Sequence, residues 1–366
     1  MDFNNGVFNY GSWENAFFMP RPCMLKYDGT VDYYLDPSDY SKKADGTASD
    51  VANINYAGNA MVEWGQNEQK IFYKIVPDND PTSVSVYIAN TQVDSGYHAY
   101  PFINNQGQMV DHFYTPMFNG SLDSSGRLRS ISGIAQQSLI KSKTAEQEIT
   151  AAEKNNPSTD KLWYTEVYCD IVLINLLLTL ISKSLNSQGI FGKGVISGKE
   201  AGMVGTGILN NKGMFYGSNI NTAAVKVFHM ENWWGNQWRR FAGLINMNGT
   251  QKFKMTRTTN DGSTVADYNL TGQGYLSGGT YSSANGTYIK KMTWDDKQWI
   301  PSLMSGTYTT FYCDGLWTNN LQIDYACRGG NSTSGTHCGA WYLALDYLAS
   351  DVAWTLGAAP SCKPLS

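Results

Sequence analysis

The chain has 366 residues, enough for one large domain or two ordinary ones with a sizeable buried core. Charged residues make up only 16%, aromatic residues reach 13% and glycines number 36, which favours sheets and loops over long solvated helices. The formal net charge of -4 offers no positive field to a phosphate backbone, so nucleic-acid binding is not expected.

The first 58 residues contain turn motifs such as DGT, DPSD and DGTASD, with little periodic apolar sequence. They predict a short N-terminal arm or attachment segment, residues 1–58, followed by one domain over residues 59–366. The opening sequence MDFNNGVFNYGSW has neither the basic region nor the apolar stretch of a secretory signal peptide, so export by that route is not expected.

Strand signals follow the arm, and helix signals come next. The segments AMVEWGQNEQKIFYKIV and SVSVYIANTQV alternate apolar with polar residues, as half-buried strands do. Thr144 and Gln147 form a capping-box pattern at the start of one predicted helix. A second helix is predicted from Trp163 to Leu185. Its apolar run Ile171–Ile181 falls short of the roughly 20 residues that cross a bilayer, so it predicts a buried central helix.

Beyond this helix the chain returns to short segments separated by glycines. Strands first, helices in the middle and loop-rich strands afterwards predict the α+β class. The six cysteines lack the spacing of zinc ligands and the four histidines lack an HExxH pattern, so no metal and no cofactor are expected. Free buried thiols are favoured, and a disulfide bond among the four C-terminal cysteines remains an alternative.

The sequence offers few candidates for catalysis. It contains no GxSxG nucleophile motif, and GTG at residues 205–207 lacks the strand and helix that a dinucleotide site requires. Asp295 and Asp296 are adjacent, so on a strand they would point to opposite faces, which makes them a poor acid/base pair for a glycosidase. Glu231 beside two tryptophans more often braces a loop. We therefore expect no enzymatic activity.

Residues 230–243 read MENWWGNQWRRFAG, with three tryptophans and two arginines. These tryptophans either anchor a loop-rich fold or stack on sugars or bases.

The longer segment VFHMENWWGNQWRRFAG resembles the M-x-GNVWEW core segment of the C-type-lectin-like fold, which formylglycine-generating enzymes share with the variable proteins of diversity-generating retroelements. The C-terminal sequence from CRGGNSTSG to APSCKPL resembles the RGG to LSC ending of phage-encoded variable proteins. KIFYK, VYIANTQVDSGYHAYPFI, GRLRSISG and SLNSQGIFGKG are similar to segments of phage tail-associated proteins.

This resemblance covers about residues 61–366 and implies a C-type-lectin-like, or formylglycine-generating-enzyme-like, domain. Because that fold has little regular structure, large aromatic side chains supply much of its core. The anchor interpretation is therefore favoured for Trp233, Trp234 and Trp238. Arg239 and Arg240 are expected to brace loop carbonyls through their several donors.

In the variable proteins the diversified positions lie in the C-terminal segment, here about residues 313–366. The framework residues implied are Gly329, Gly330, Gly339, Ala340, Trp354, Gly357, Ser361 and Cys362. The ligand-binding residues implied are Trp317, Asn319, Tyr325, His337, Trp341, Leu343, Asp346, Tyr347 and Asp351. An alternative is that Trp341, Leu343 and Leu345 form one buried strand face.

The sequence departs from the family pattern in two respects. Pro360 stands where a leucine is common, and the asparagines typical of a template are mostly missing. The second departure fits an already diversified copy and equally a relative that was never diversified.

The resemblance implies a non-enzymatic receptor-binding protein of a phage tail tip or fibre, which recognises a bacterial surface ligand, protein or glycan, through a lectin-like face. It would be assembled in the host cytoplasm and reside in the virion, as a homotrimer in contact with other phage tail proteins, without membrane insertion. One alternative is a structural virion decoration protein. Another is an enzyme of the formylglycine-generating type that uses Cys338 and Cys362.

Overall fold

The structure is a computed structural model that describes residues 2–4, 7–9, 19–66, 69–78, 83–158, 161–253, 255, 275–281 and 285–365. The described helices are α1 (Ala145–Glu153), α2 (Tyr168–Ser182) and α3 (Ser187–Phe191). The described strands are β1 (Asp2–Asn4), β2 (Val7–Asn9), β3 (Arg21–Lys26), β4 (Val31–Asp36), β5 (Asp39–Lys43), β6 (Gly58–Trp64), β7 (Phe72–Pro77), β8 (Val84–Ala89), β9 (Phe113–Pro116), β10 (Ser121–Leu122), β11 (Leu128–Arg129), β12 (Trp163–Thr165), β13 (Lys226–Val227), β14 (Met230–Glu231), β15 (Trp238–Met247), β16 (Thr250–Phe253), β17 (Tyr275–Thr280), β18 (Asn285–Trp294), β19 (Trp299–Gly306), β20 (Gly315–Thr318), β21 (Ile323–Arg328), β22 (Leu343–Tyr347), β23 (Leu356–Gly357) and β24 (Pro360–Cys362).

The protein is built mainly of β-sheet, with 37% strand and 13% helix, so the predicted α+β class is wrong. Helical periodicity is confined to the stretch that forms α1 and α2. The glycine-separated segments after residue 225 instead form strands, among them the ten-residue strand β15. Their pairing partners lie far apart in sequence, so local patterns alone did not reveal how much sheet the chain forms.

The larger sheet is formed by nine described strands between residues 238 and 357, and the structure contains a sheet curled into a half-barrel. Its order is β17-β16-β15-β21-β22-β20-β18-β19, and β23 pairs with β15 outside that path. The pairs β20–β22 and β15–β23 are parallel. Strand β15 begins with Trp238 and is buried up to Asn246, so the tryptophan-rich segment leads directly into the centre of this sheet.

The second large sheet joins the two ends of the chain, in the order β12-β24-β9-β6-β3-β4-β5. Strand β3 pairs with β6 along its whole length, from Arg21 opposite Glu63 to Lys26 opposite Gly58. Part of the predicted N-terminal arm therefore forms strands of this sheet, and the pairing crosses the predicted domain boundary at residue 58. At the other end of the chain, β24 lies between β12 and β9.

The helices agree with the sequence patterns in α1 and in the apolar part of α2, whereas α2 ends at Ser182 rather than Leu185 and the short helix α3 was not predicted. Thr144 and Gln147 form the predicted capping box of α1, because the Thr144 side chain accepts from the Gln147 amide and the Gln147 side chain accepts from the Thr144 amide. Helix α2 is buried on most sides, as predicted, and belongs to the main hydrophobic core. It starts at Tyr168 rather than Trp163, since residues 163–165 pair with β24 as a strand. Among the helices that the structure describes, none has the length and apolar character needed to span a membrane.

Candidate functional site

The three tryptophans of residues 230–243 lie in the protein interior. Trp233, Trp234 and Trp238 are 1%, 0% and 3% exposed. The indole N–H of Trp233 donates to Asn175 Oδ1 on α2 at 3.0 Å, and that of Trp234 donates to the Gly192 carbonyl at 3.2 Å. A buried indole needs such a partner for its polar edge. The interpretation as anchors is confirmed for Trp233 and Trp234, whereas Trp238 is equally buried but also borders the cleft described below.

Buried arginines surround the same segment. Arg239 donates to the carbonyls of Glu231 and Asn232, at 2.6 and 3.0 Å, so it braces the loop as predicted. Arg240 forms an ion pair with Glu148 of α1 at 2.8 Å and also donates to the Asp351 carbonyl. These contacts fix the end of the tryptophan-rich segment against α1 and the C-terminal loop.

Arg328 joins the tryptophan-rich segment to a buried carboxylate. Its guanidinium lies 3.5 Å from the centre of the Trp233 ring and donates to Glu166. Arg239 shares that carboxylate at 3.5 Å. Burial lowers the pKa of both arginines, that of Arg328 to about 10, and the Glu166 carboxylate opposes this shift in each case.

A cleft forms on the outer face of the larger sheet because side chains alternate along β22 and the residues before it. Trp341, Leu343 and Leu345 point to the core and are 4%, 6% and 0% exposed, so the alternative of one buried strand face is confirmed. Tyr342, Ala344 and Asp346 occupy the other face and line the cleft. On the parallel neighbour β20, Trp317 pairs with Ala344 and shares that face.

The cleft has a volume of about 410 Å³. This size falls in the range typical of small-molecule sites. It is lined by Trp238, Trp317, Asn331, Thr333, Ser334, His337, Tyr342, Ala344, Asp346 and Tyr347. Trp238 and Tyr342, whose ring centres are 4.5 Å apart, form its floor. The site therefore combines aromatic rings with hydroxyl, amide, imidazole and carboxyl groups.

Trp317 forms a flat wall of the cleft. Its strand partner on β18 is Gly286, and a Cβ atom there would lie 1.9 Å from the indole. The missing side chain lets the indole lie against the β18 backbone while 38% of the residue stays exposed. The indole N–H donates to the hydroxyl of Tyr342, which fixes the ring orientation.

His337 stands at the rim as a neutral ring. It stacks on Tyr288 of β18, with ring centres 4.1 Å apart and planes 12° from parallel. Burial lowers the pKa of His337. Its Nδ1 lies 3.2 Å from the Ser334 carbonyl, and because a carbonyl only accepts, Nδ1 carries the proton and Nε2 remains an acceptor.

Asp346 supplies the acidic group of the cleft. Burial, with a smaller contribution from Asp351, raises its pKa to about 6. Asp324, which is fully buried on the adjacent strand β21, has its pKa raised to about 7, chiefly by burial. Among the described residues that line the cleft, none is Lys or Arg. The cleft is therefore weakly acidic, and its charge decreases below about pH 6.

The loop at residues 329–334 forms the remaining rim. Asn331 Oδ1 accepts from the amide and the hydroxyl of Thr333, both at 2.7 Å, which makes the Asn-Ser-Thr triplet an Asx turn. Gly330 has φ +86°, and a Cβ there would lie 2.5 Å from Cys338 Sγ. Only glycine fits this position without a shift of the loop, in line with its predicted framework role.

The predicted ligand-binding residues fall into three groups. Trp317, His337, Asp346 and Tyr347 come together in the cleft. Asn319 and Asp351 are partly exposed but lie outside its lining, where each side chain accepts from a turn amide. The structure places Tyr325, Trp341 and Leu343 in the core, so they do not line the cleft. Seven of the eight predicted framework residues are buried, and Trp354 is partly exposed.

Sequence reasoning missed several lining residues. Tyr342 was detectable, because the alternation that buries Trp341 and Leu343 places Tyr342 on the opposite face. Trp238 was assigned only to the core, yet it also forms the cleft floor. Thr333 belongs to the Asn-Ser-Thr triplet and Ser334 follows it, and neither position carries a local signal of a site.

The six cysteines are free and buried, as the sequence favoured. Burial raises the pKa of both Cys338 and Cys362. These two thiols belong to different hydrophobic clusters. Asp295 Oδ1 accepts from the amides of Lys297 and Gln298, which is a turn-capping role. Within the described ranges, no group of three or more His, Cys, Asp and Glu side chains is arranged to hold a metal ion.

No protein-family model matches the chain, and no curated protein matches it.

Proposed function

We propose that this protein is a non-enzymatic receptor-binding protein of a phage tail tip or fibre, which binds a bacterial surface ligand in the cleft between β20, β22 and residues 331–337. The observation that carries the proposal is the composition of the cleft. Aromatic side chains give contact area at low entropic cost, and a few polar groups give direction, as in other recognition surfaces.

The cleft is also held in shape before any ligand arrives. Trp317 is fixed by Gly286 and by Tyr342, and His337 is fixed by Tyr288 and by the Ser334 carbonyl. Side chains that are already ordered lose less entropy when they bind. This supports recognition as the task of the cleft.

The phage context is supported by the sequence resemblance, above all by the tryptophan-rich segment and the RGG-containing C-terminal segment. A homotrimer suits such a protein, because several weak sites acting together bind a repetitive cell surface with high avidity. The absence of enzymatic activity is supported by the thiols of Cys338 and Cys362, whose burial and raised pKa both oppose nucleophilic attack.

The proposal is tested by labelling the full-length protein and measuring its binding to a panel of bacterial isolates by flow cytometry. We expect saturable binding to at least one isolate and a loss of about 30-fold in affinity for Trp317→Ala, as for a central aromatic anchor. Tyr87→Ala is the matched control, since Tyr87 is 47% exposed and lies on the separate β7–β8 sheet. Equal binding by the two variants, or binding to no isolate, would contradict the proposal. Binding of the cleft to neighbouring virion subunits instead would favour the decoration protein.

A further inference from the structure

The aromatic lining of the cleft continues beyond it as a row of rings. From Trp317 the row passes to His337, 6.2 Å away, then to Tyr288 at 4.1 Å and to Tyr308 at a further 6.4 Å between ring centres. We name these four residues the aromatic row. Tyr288 and Tyr308 do not line the cleft, so the row extends the candidate site past its rim.

The outer end of the row is open to solvent. Tyr308 is 58% exposed in the turn that follows β19. Tyr288 lies on the same face of the sheet as Trp317, because Tyr288 pairs with Gly315 and Trp317 pairs with Gly286 in the same ladder. The sheet therefore holds the base of the row in a fixed geometry.

Hydroxyl groups accompany the rings. Thr336 hydrogen-bonds the Tyr288 hydroxyl, and Thr333 and Ser334 lie on the cleft rim. Thr307, Thr309 and Thr310 are exposed on both sides of Tyr308. Hydroxyl groups thus accompany the rings at both ends of the row.

This chemistry matches a saccharide chain. The electron-rich face of an aromatic ring attracts the weakly positive C–H groups on the face of a sugar, and the neighbouring hydroxyls bond its O–H groups. An extended peptide could not add a strand in the cleft, because β20 and β22 each pair on both sides. A polyphosphate chain would need cations, and the described residues that line the cleft include neither Lys nor Arg.

We infer that the ligand is an extended, uncharged or weakly basic oligosaccharide, with one sugar in the cleft against Trp317 and a later sugar stacked on Tyr308. This inference rests on the proposed function and adds the ligand class and a second subsite. The outer subsite acts only on ligands long enough to reach it.

The test is a bacterial-glycan array that carries capsular and O-antigen oligosaccharides of one, two and three repeat units. For a bound glycan we expect affinity to rise about tenfold with length, and Tyr308→Ala to remove that gain while leaving the shortest ligand unaffected. Tyr308→Phe should keep the gain, because the ring face is retained. Trp317→Ala should weaken binding at every length, and Tyr87→Ala should change nothing.

The outcomes separate the two proposals. The outer subsite is wrong if Trp317→Ala abolishes binding but the affinity does not depend on glycan length. It is also wrong if Tyr308→Ala and Tyr87→Ala bind every glycan with the same affinity. In both cases the proposed binding site in the cleft is retained. If the protein binds cells through Trp317 but binds no glycan on the array, the saccharide class is wrong. If neither cells nor glycans are bound, both proposals fail.

Discussion

Trp233 and Trp317 show how one residue type serves two purposes in the same protein. Trp233 is 1% exposed, donates to α2 and lies against the Arg328 guanidinium. Trp317 is 38% exposed and lies flat over Gly286. Its indole N–H donates to the Tyr342 hydroxyl, and the ring borders the cleft. The neighbours of each ring decide its role. Trp233 is enclosed by a helix and an ion-pair network, whereas a glycine opposite Trp317 supports the ring without covering it.

The charges around the two tryptophans differ in the same way. Near Trp233, two fully buried guanidinium groups share the carboxylate of Glu166. Near Trp317, the cleft contains His337 and Asp346, both partly exposed and both with a pKa displaced toward the neutral form by burial. The interior thus depends on charge compensation, while the cleft keeps polar groups that a ligand can reach. Substitutions on the two sides should separate stability from binding.

Glu166→Gln should have the largest effect on stability. It removes the ion-pair partner of the buried Arg328 and one of the two carboxylates near the buried Arg239, the other being Glu231. Loss of one member of a buried ion pair typically costs about 3 to 5 kcal/mol. Because both guanidiniums are affected, we expect a loss of about 5 kcal/mol in the free energy of unfolding, measured by chemical denaturation. Glu200→Gln is the control, since Glu200 is 45% exposed in its pair with Lys141 and should change stability by less than about 0.5 kcal/mol. Similar small losses for both variants would show that the network is not needed.

Trp233→Ala should follow, with a loss of about 4 kcal/mol in the free energy of unfolding, because it opens a cavity and leaves Asn175 Oδ1 without this donor. Trp233→Phe keeps a ring beneath Arg328 and should cost only about 1 to 2 kcal/mol. A stable Trp233→Ala variant that loses only cell binding would overturn the assignment of Trp233 to the interior framework.

Asp324→Asn should affect stability only at higher pH. Asp346 and Asp351 approach Asp324 from β22 and the turn after it, and Asn246 faces it from β15. Burial raises the pKa of Asp324 from an ordinary value of 3.8 to about 7, so the folded protein binds this proton more tightly than the unfolded chain does. The stabilisation that this tighter proton binding gives the folded state is therefore complete below about pH 4 and is lost as the pH rises through about 7.

Replacing this carboxyl by an amide removes the cost of ionising it in the interior. We expect Asp324→Asn to match the original protein near pH 4 and to exceed its stability by about 1 to 3 kcal/mol at pH 8. Thermal unfolding across this pH range measures the difference. A variant that becomes progressively less stable than the original protein as the pH rises would instead indicate that Asp324 acts as a charged acceptor.

The sequence predicted the parts of this structure that depend on neighbouring residues. The capping box at Thr144, the apolar helix α2 and the strands β6 to β8 follow from local patterns, and the composition pointed to the buried tryptophans. It did not predict that residues 163–165 are a strand, because their partners lie almost 200 positions later, in β24. The sheet content was underestimated for the same reason, which made the α+β prediction wrong.

The candidate site was predictable only in part. Trp317, His337, Asp346 and Tyr347 were expected and share the cleft, whereas Leu343 of β22 and Trp341, just before this strand, point into the core. Strand alternation assigns those faces once the register is known, and the register depends on the parallel pairing of β20 with β22. Tyr288 and Tyr308 join the site only through the fold, since they precede the C-terminal segment that carried the prediction.

Trp317→Ala should have the smallest effect on stability and so completes the comparison with Trp233. The ring covers the backbone at Gly286 but is more than one-third exposed, so its loss should cost about 1 kcal/mol, a quarter of the loss expected for Trp233→Ala. Cell binding should nevertheless fall about 30-fold, because an anchor can contribute far more to recognition than to folding. Paired measurements of the melting temperature and of cell binding for Trp317→Ala, Trp233→Phe and Tyr87→Ala test this directly. Of the three variants, only Trp317→Ala should combine high stability with weak cell binding. If it loses as much stability as Trp233→Ala, the weaker binding reflects a damaged fold, and Trp317 belongs with the interior aromatic residues.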